Sequence, residues 1–181
     1  RAIKSSVKTN EHGILIMEEE TLQMMKDNGV WLSAQPLIDD EDRLVFDHPA
    51  STAKWFVVTD GTGRNYEAAK AMGVKIAFGT DMLFDPAAAA TQGKLVTKLK
   101  NWFTPFEALK MVTSDNAELL LLSGPRHPYQ EGPLGVIAEG AYADLILVDG
   151  NPLENLGLVG DAEANFDLIM KDGVIYKNTL Q

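Results

Sequence analysis

Three short segments of the first half of the chain are predicted to be β-strands, two of them apolar and the first unusually polar. The segments occupy residues 7–11, 30–34 and 74–78, with turn or polar residues around them. Continuous apolar runs of this length are typical of strands that are covered on both faces, as in a parallel sheet. The pattern therefore predicts three strands, of which the first is the least regular.

Helical patterns lie between these segments. Residues 18–28 carry acidic side chains in the first turn and an apolar face, and Gly29 provides a stop signal. Residues 50–72 are also predicted to be helical, with a break near residues 60–63, where two glycines occur. Strands that alternate with helices form parallel sheets with right-handed crossovers. The first half of the chain is therefore predicted to have an α/β architecture.

Two more helical segments are predicted at residues 87–102 and 104–123. The second has a clear start, because Thr104 can cap the helix, Pro105 suits its first turn and Glu107 can reach back to the cap. Gly124-Pro125 would end this helix. The apolar side chains that we expect it to bury are Leu109, Val112, Leu120 and Leu121.

Beyond Pro125 the pattern changes to short apolar runs separated by turn residues. Asp172-Gly173 between two such runs is typical of a tight hairpin. An antiparallel module this short needs another piece to form a stable sandwich. The change of pattern predicts a domain of residues 1–124 and a second domain portion of residues 125–181. The predicted strands of the second portion are residues 135–137, 143–148, 167–170 and 174–176.

Composition and charge restrict the possible partners and metal ligands. The chain has 26 acidic and 16 basic residues and a net charge of −10, which disfavours nucleic acid and anionic membrane surfaces. It contains no cysteine, so any metal must be bound by His, Asp or Glu. No apolar run approaches the roughly 20 residues of a membrane span. A cytoplasmic location is the expectation, although a chain that starts at Arg1 without Met says little about targeting.

Two residues at predicted strand ends could carry chemistry. His12 follows the first predicted strand, and Asp81 follows the third after Gly79-Thr80. In a barrel of parallel strands the reacting groups lie at the carboxyl ends of the strands. A carboxylate there can bind a divalent metal or accept a proton from a metal-bound water. Each residue also has an ordinary interpretation, since Asp81 can cap the following turn and His12 can be a structural histidine.

The other candidate residues carry weaker signals. His48 precedes a proline in a long loop, where we expect a surface role, and the acidic run 39–42 in the same loop is expected to be solvated. We interpret His127 as structural, with the alternative that it lines a cleft. Residues 61–63 lack the third glycine of a nucleotide loop. No Gly-x-Ser-x-Gly sequence occurs, so a serine hydrolase lacks its best signal.

Glu11-His12-Gly13, with residues 19–22 and 29–32 after it, resembles the sixth strand, sixth helix and seventh strand of amidohydrolase-superfamily enzymes. Within this superfamily, the motifs resemble the branch that contains imidazolonepropionase and the Xaa-Pro dipeptidases. Residues 78–81 resemble the eighth barrel strand of this family, and residues 104–109 resemble its last barrel helix. The segments that resemble the C-terminal strands of the family's second, β-sandwich domain are residues 135–137, 139–140, 143–145 and 149–152.

The resemblance implies that this chain is strands six to eight of a (β/α)8 TIM barrel, followed by part of a composite β-sandwich domain. His12 matches the histidine after strand six, which binds metal in binuclear members and can polarise the substrate carbonyl in mononuclear ones. Asp81 matches the aspartate after strand eight, which binds metal and acts as general base. The implied metal is a divalent ion, with Zn2+ as first choice for His and carboxylate ligands and nickel, iron or manganese still open.

The resemblance further implies a cyclic amide or small peptide as substrate, bound by loops around residues 35–50 and 82–103. Leu83 and Phe84 are apolar groups in the second loop. The family's other metal ligands precede the first residue of this chain, so we expect that the chain alone does not hydrolyse amides. We also expect self-association, because three barrel strands leave unpaired sheet edges. Two alternatives stay open: an inactive fragment or structural module that needs a complementing chain, and an unrelated α/β binding protein.

Overall fold

A three-stranded parallel sheet forms the centre of the first of two units in the computed structural model, which describes residues 2–82 and 86–180. The units are Arg1–Asp81 and Met82–Gln181. The strands of the first unit are β1 (Thr9–Glu11), β2 (Trp31–Ala34) and β3 (Ile76–Phe78), in that order across the sheet. The prediction of three parallel strands is therefore confirmed.

Helix α1 (Glu19–Asp27) connects β1 to β2 and buries Leu22 and Met25. Glu19 and Glu20 lie in its first turn, where carboxylates are favourable beside the positive end of the helix dipole. After the helix, Gly29 has φ +61°, a conformation that suits glycine best.

Helix α2 (Pro49–Met72) connects β2 to β3 as one continuous helix. The predicted break near residues 60–63 is therefore wrong. A Cβ atom at Gly61 would lie 2.4 Å from Leu15 Cδ2, so this glycine allows close packing inside the helix rather than ending it. Thr62 is buried and donates its hydroxyl hydrogen bond to the carbonyl oxygen of Val58, one turn earlier. The prediction, made from residue type alone, therefore interpreted Gly61 as a helix stop although this glycine serves a packing contact.

The first half of the second unit consists of helical segments: α3 (Pro86–Ala90), α4 (Gln92–Lys98), a 3-10 turn (Leu99–Asn101) and α5 (Pro105–Lys110). The predicted capping box is present, since the Glu107 amide donates to Thr104 Oγ1 and the Thr104 amide donates to Glu107 Oε2. Leu83 and Phe84, expected in the pocket loop, lie outside the described residues.

The helix then continues through a π-helical turn (Met111–Asp115), α6 (Asn116–Leu120) and a 3-10 segment (Leu121–Arg126). Leu120 and Leu121 are 44% and 62% exposed, so the prediction that they are buried is wrong. A π-helical turn inserts an extra residue into the helical repeat, which rotates all later side chains about the axis. Ala108 and Met111 are the buried residues on this segment instead.

The second half of this unit contains an antiparallel sheet of β4 (Leu145–Val148), β5 (Phe166–Lys171) and β6 (Val174–Asn178), in that order. The predicted hairpin at Asp172-Gly173 joins β5 to β6, and both turn residues have the positive φ that such a tight turn requires. Between β4 and β5 lie a 3-10 segment (Leu156–Gly160) and α7 (Ala162–Asn165).

The strand predicted at residues 135–137 is not formed. Gly135 has φ +70°, and Ile137 is 99% exposed. An apolar run without sheet partners gains nothing from an extended conformation. The predicted domain boundary between residues 124 and 125 falls inside the second unit. The division into a partial barrel and a β-sandwich portion stays a prediction.

Within residues 2–82 and 86–180, no helix is both long enough and apolar enough to cross a membrane.

Candidate functional site

The structure brings His12 and Asp81 together at one edge of the parallel sheet. His12 directly follows β1, and Asp81 comes three residues after the end of β3. The Nδ1 atom of His12 lies 3.7 Å from the Oδ2 atom of Asp81. The two predicted site residues are therefore neighbours in space, as strand ends of one parallel sheet should be.

Both residues have a left-handed backbone, with φ +58° at His12 and +55° at Asp81. Non-glycine residues adopt this conformation uncommonly, although Asn, Asp and His do so more often than others. Such conformations cluster at functional sites, because they turn the chain sharply and point a side chain away from the strand direction. Both candidate side chains are placed by this kind of turn.

The backbone around His12 is held by its neighbours. The His12 amide donates to the carbonyl oxygen of Ser33 at 3.0 Å and so continues the strand pairing beyond β1. A Cβ atom at Gly13 would lie 2.6 Å from Leu32 Cδ1, so a larger residue would collide there. Opposite, the Gly79 amide donates to the Ala34 carbonyl oxygen at 3.3 Å, which fixes the chain shortly before Asp81.

The pair is open to solvent, with 57% of the His12 side chain and 49% of the Asp81 side chain exposed. Zinc ligands of the imidazole and carboxylate types lie about 2.0–2.2 Å from the ion. Two such atoms 3.7 Å apart can therefore contact one ion placed between them. Among residues 2–82 and 86–180, no group of three or more His, Cys, Asp or Glu side chains is arranged to hold a metal.

Sequence reasoning missed one polar residue at this edge. Gln35 directly follows β2, the strand between β1 and β3, and its side chain is buried with only 5% of the residue exposed. Its Oε1 atom is enclosed and has no hydrogen-bond partner among the described residues. The signal available in the sequence was a glutamine directly before Pro36 at the end of an apolar run, but a lone glutamine there is not specific.

The other two histidines lie elsewhere. His48 is exposed and caps α2, since its Nδ1 atom accepts a hydrogen bond from the Ala50 amide at 3.2 Å. His127, in the second unit, is 5% exposed, and its ring packs against Tyr129 with ring centroids 5.6 Å apart. Its Nδ1 atom has no hydrogen-bond partner within the part of the chain that the structure describes. The residue lines an open pocket of about 450 Å³ together with Tyr129 and Gln130. His127 is thus both packed in the structure and at the edge of a cleft.

The sequence profile of the amidohydrolase family matches residues 1–178, nearly the whole chain. The chain belongs to the amidohydrolase family. The amidohydrolase family, which the ordered motifs resemble, is therefore confirmed.

Individual amidohydrolases show the same relationship. Ochratoxinase of Aspergillus niger is 30% identical over 182 residues, which cover 97% of this chain and 35% of that protein. A prolidase crystallised with N-methylphosphonate-L-proline is 30% identical, with a TM-score of 0.80 over 98% of this chain and 42% of that one. A Xaa-Pro dipeptidase with bound methionine is 28% identical, with a TM-score of 0.76 over 98% of this chain and 41% of that one. This chain thus spans about two fifths or less of each relative.

Proposed function

We propose that this amidohydrolase chain forms the C-terminal portion of an enzyme that hydrolyses C–N bonds in cyclic amides or small peptides with a metal-activated water. In this proposal β1, β2 and β3 are strands six to eight of a (β/α)8 barrel. Residues 125–181 are part of its composite β-sandwich domain. The coverage of the relatives supports the proposal, because this chain matches only a part of each of them.

The observation that carries the proposal is the 3.7 Å approach of His12 Nδ1 to Asp81 Oδ2. One residue follows β1 and the other follows β3, so only the folded sheet brings them together. Both side chains are accessible, and both are of the type that binds divalent metals. Both side chains are placed by left-handed turns, a conformation that clusters at functional sites.

His12 and Asp81 would hold a divalent ion, and Zn2+ is the ion that we propose for this imidazole and carboxylate pair. A hydrolytic zinc site needs at least three protein ligands. Since no group of three is present in the described part of the chain, the other ligands would come from residues outside it. When bound, the ion would activate a water for attack on the amide carbonyl.

Asp81 would act as the general base of the reaction. Its exposed carboxylate would accept a proton from the attacking water and then deliver that proton to the leaving nitrogen. The new bond is that between the water oxygen and the carbonyl carbon, and the bond that breaks is the C–N bond. The imidazole of His12 would hold the ion beside this carboxylate, since its Nδ1 atom lies 3.7 Å from Asp81 Oδ2.

The names of the relatives guide the choice of a substrate class. Two of them are named as a prolidase and a Xaa-Pro dipeptidase, and the third as an ochratoxinase. We therefore propose an Xaa-Pro dipeptide or another small peptide as the first class to test, with cyclic amides as the second.

The second candidate function is a structural module that hydrolyses nothing by itself and needs a complementing chain. The observation that favours it is the missing third metal ligand within residues 2–82 and 86–180. The two candidates differ in one respect: the complete protein hydrolyses amides in the first and does not in the second. In both, we expect the isolated 181-residue chain to be inactive.

The test measures hydrolysis of Xaa-Pro dipeptides and cyclic amides by the complete protein, with and without a metal chelator. Asp81→Asn removes the base and is expected to reduce kcat at least about 100-fold, since general-base catalysis contributes typically that much or more. Asp172→Asn is the matched control, because Asp172 is also an exposed aspartate with a left-handed backbone but lies in the β5–β6 hairpin. Turnover that survives both chelation and Asp81→Asn would refute the proposal.

A further inference from the structure

Gln35 lies at the strand-end edge between the two candidate catalytic side chains. It is the first residue after β2, which pairs with β1 on one side and with β3 on the other. His12 follows β1 and Asp81 follows β3. Three consecutive strand ends of the sheet therefore each deliver one polar side chain: an imidazole, an amide and a carboxylate.

The Gln35 amide is held by packing but not by hydrogen bonds. The residue is 5% exposed, and no donor in the described part of the chain reaches its enclosed Oε1 atom. Its backbone is fixed, since the carbonyl oxygen of Gln35 accepts a hydrogen bond from the Leu37 amide at 2.9 Å. No side-chain hydrogen bond of Gln35 is formed within residues 2–82 and 86–180. Among the described residues only the Oε1 atom of this amide is fully enclosed and unpaired, so Nε2 is the atom that a ligand can still reach.

The space beside the amide is left open by a glycine. A Cβ atom at Gly79 would lie 3.6 Å from Gln35 Nε2 and 3.9 Å from Ser33 Oγ. Gly79 does not have a left-handed backbone, so its conformation does not require glycine. Even a methyl group there would only make ordinary contacts with Gln35 and Ser33. What the glycine provides is room next to a hydrogen-bond donor.

We propose that Gln35 is a substrate-binding residue whose Nε2 atom donates a hydrogen bond to an oxygen acceptor of the substrate. The acceptor is a carbonyl or carboxylate oxygen next to the scissile bond, which is the chemistry that an amide NH2 group recognises. The rigid packing of the side chain lets it orient the substrate at little entropic cost. This inference rests on the proposed hydrolase function of the same edge.

The test uses the complete protein with its metal and measures KM and kcat for the hydrolysis of glycyl-L-proline and of glycylpyrrolidine, which lacks the carboxyl group. Gln35→Leu keeps the size of the side chain but removes the donor, and we expect about tenfold lower kcat/KM. Gln35→Glu replaces the donor by a charged acceptor and should lower kcat/KM further. Gln23→Leu is the matched control, since Gln23 is an exposed glutamine on α1 that donates to Asp27.

A second variant keeps the test informative if the Gln35 variants fail to fold. Gly79→Ala leaves Gln35 intact and fits the backbone, but it fills the space beside Nε2, so it should also lower kcat/KM. Metal content is measured for every variant and is expected not to change.

The two substrates separate the possible acceptors. A loss of kcat/KM for glycyl-L-proline alone assigns the acceptor to the carboxylate, and an equal loss for both substrates assigns it to the amide carbonyl. Unchanged KM and kcat in Gln35→Leu and Gly79→Ala would overturn the role of Gln35 and leave the hydrolase proposal intact. If the unsubstituted protein hydrolyses neither substrate and no other amide, the proposed function fails, and the role of Gln35 fails with it.

Discussion

His12 Nδ1 lies 3.7 Å from Asp81 Oδ2, and both residues have a positive φ at the carboxyl ends of two strands that flank β2. Within residues 2–82 and 86–180, the only other non-glycine residues with positive φ are Ser6 and Asp172. Half of these uncommon conformations therefore occur at the candidate site. Local backbone strain is therefore concentrated at this site, where the two strained residues place their side chains close together.

This relationship predicts a difference between two variants of Asp81. An alanine in the left-handed conformation costs about 1–2 kcal/mol, whereas glycine adopts it freely. We therefore expect Asp81→Gly to be more stable than Asp81→Ala by about 1 kcal/mol in the free energy of unfolding, although both lack the carboxylate. Denaturant titration of the two variants measures this difference. Equal stabilities would show that the backbone at residue 81 is not left-handed in solution.

A second prediction concerns the contact between Gly135 and the π-helical turn. A Cβ atom at Gly135 would lie 2.5 Å from the Thr113 carbonyl carbon and 2.8 Å from the Ser114 amide nitrogen, and backbone atoms cannot move aside cheaply. Gly135→Ala should therefore lower the melting temperature clearly. Gly140→Ala is the matched control, because Gly140 also has a positive φ, at +79°, but nothing lies within 4 Å of its Cβ position. A Gly135 variant no less stable than the Gly140 variant would contradict this packing.

The ion pair of Asp144 predicts how the stability of the second unit changes with pH. Asp144 accepts hydrogen bonds from Lys171 Nζ and from the Asp172 amide, each at 2.6 Å, and these bonds hold the pKa of its carboxyl below the usual value. A carboxyl with a lowered pKa in the folded state contributes stability above its unfolded pKa of about 3.9. That contribution is lost as the pH falls through the lower, folded pKa.

We therefore expect Asp144→Asn to reduce stability at neutral pH and to flatten the loss of stability below about pH 4. Thermal melts from pH 2 to pH 7 measure both effects. Asp149→Asn, at an exposed turn carboxylate, is the control and should leave the loss of stability at low pH unchanged. If Asp144→Asn and the unsubstituted chain lose the same stability at low pH, the Asp144–Lys171 pair contributes nothing to folding.

The unpaired sides of β1 and β3 predict self-association of the isolated chain. The parallel sheet has only the three strands β1-β2-β3, so within the described part of the chain its two outer strands have no partner on one side. Unpaired strand edges are templates for pairing with another chain. Light scattering should show a mass that rises with protein concentration. A constant monomer mass at high concentration would count against this expectation.

Strands β2 and β3 could be predicted from the sequence, because apolar runs bounded by turn residues indicate burial on two faces. The polar β1 carried a weaker signal, since it is not a buried apolar run. The cap at Thr104 and the hairpin at Asp172-Gly173 were predictable for the same local reason: each depends on a few neighbouring residues. The approach of His12 to Asp81 could be inferred once both were placed at strand ends of one sheet.

The errors arose where a contact distant in sequence decides the local structure. Gly61 looks like a helix stop, but it packs against Leu15, which lies far from it in the sequence. The π-helical turn at Met111–Asp115 has no clear sequence signal, and it changes which later leucines are buried. Gln35 could not be recognised as a site candidate, because its importance depends on an unpartnered buried amide that only the folded chain reveals.

The central claim is that His12 and Asp81 bind one metal ion together, and the metal content of the complete protein tests it most directly. Plasma mass spectrometry compares the unsubstituted protein with the double variant His12→Ala and Asp81→Ala. The double variant His48→Ala and Asp149→Asn serves as control, since neither residue lies at the strand-end edge. We predict that the first double variant loses about one zinc ion per chain and that the control loses none. Full zinc content in the His12 and Asp81 variant would contradict the claim.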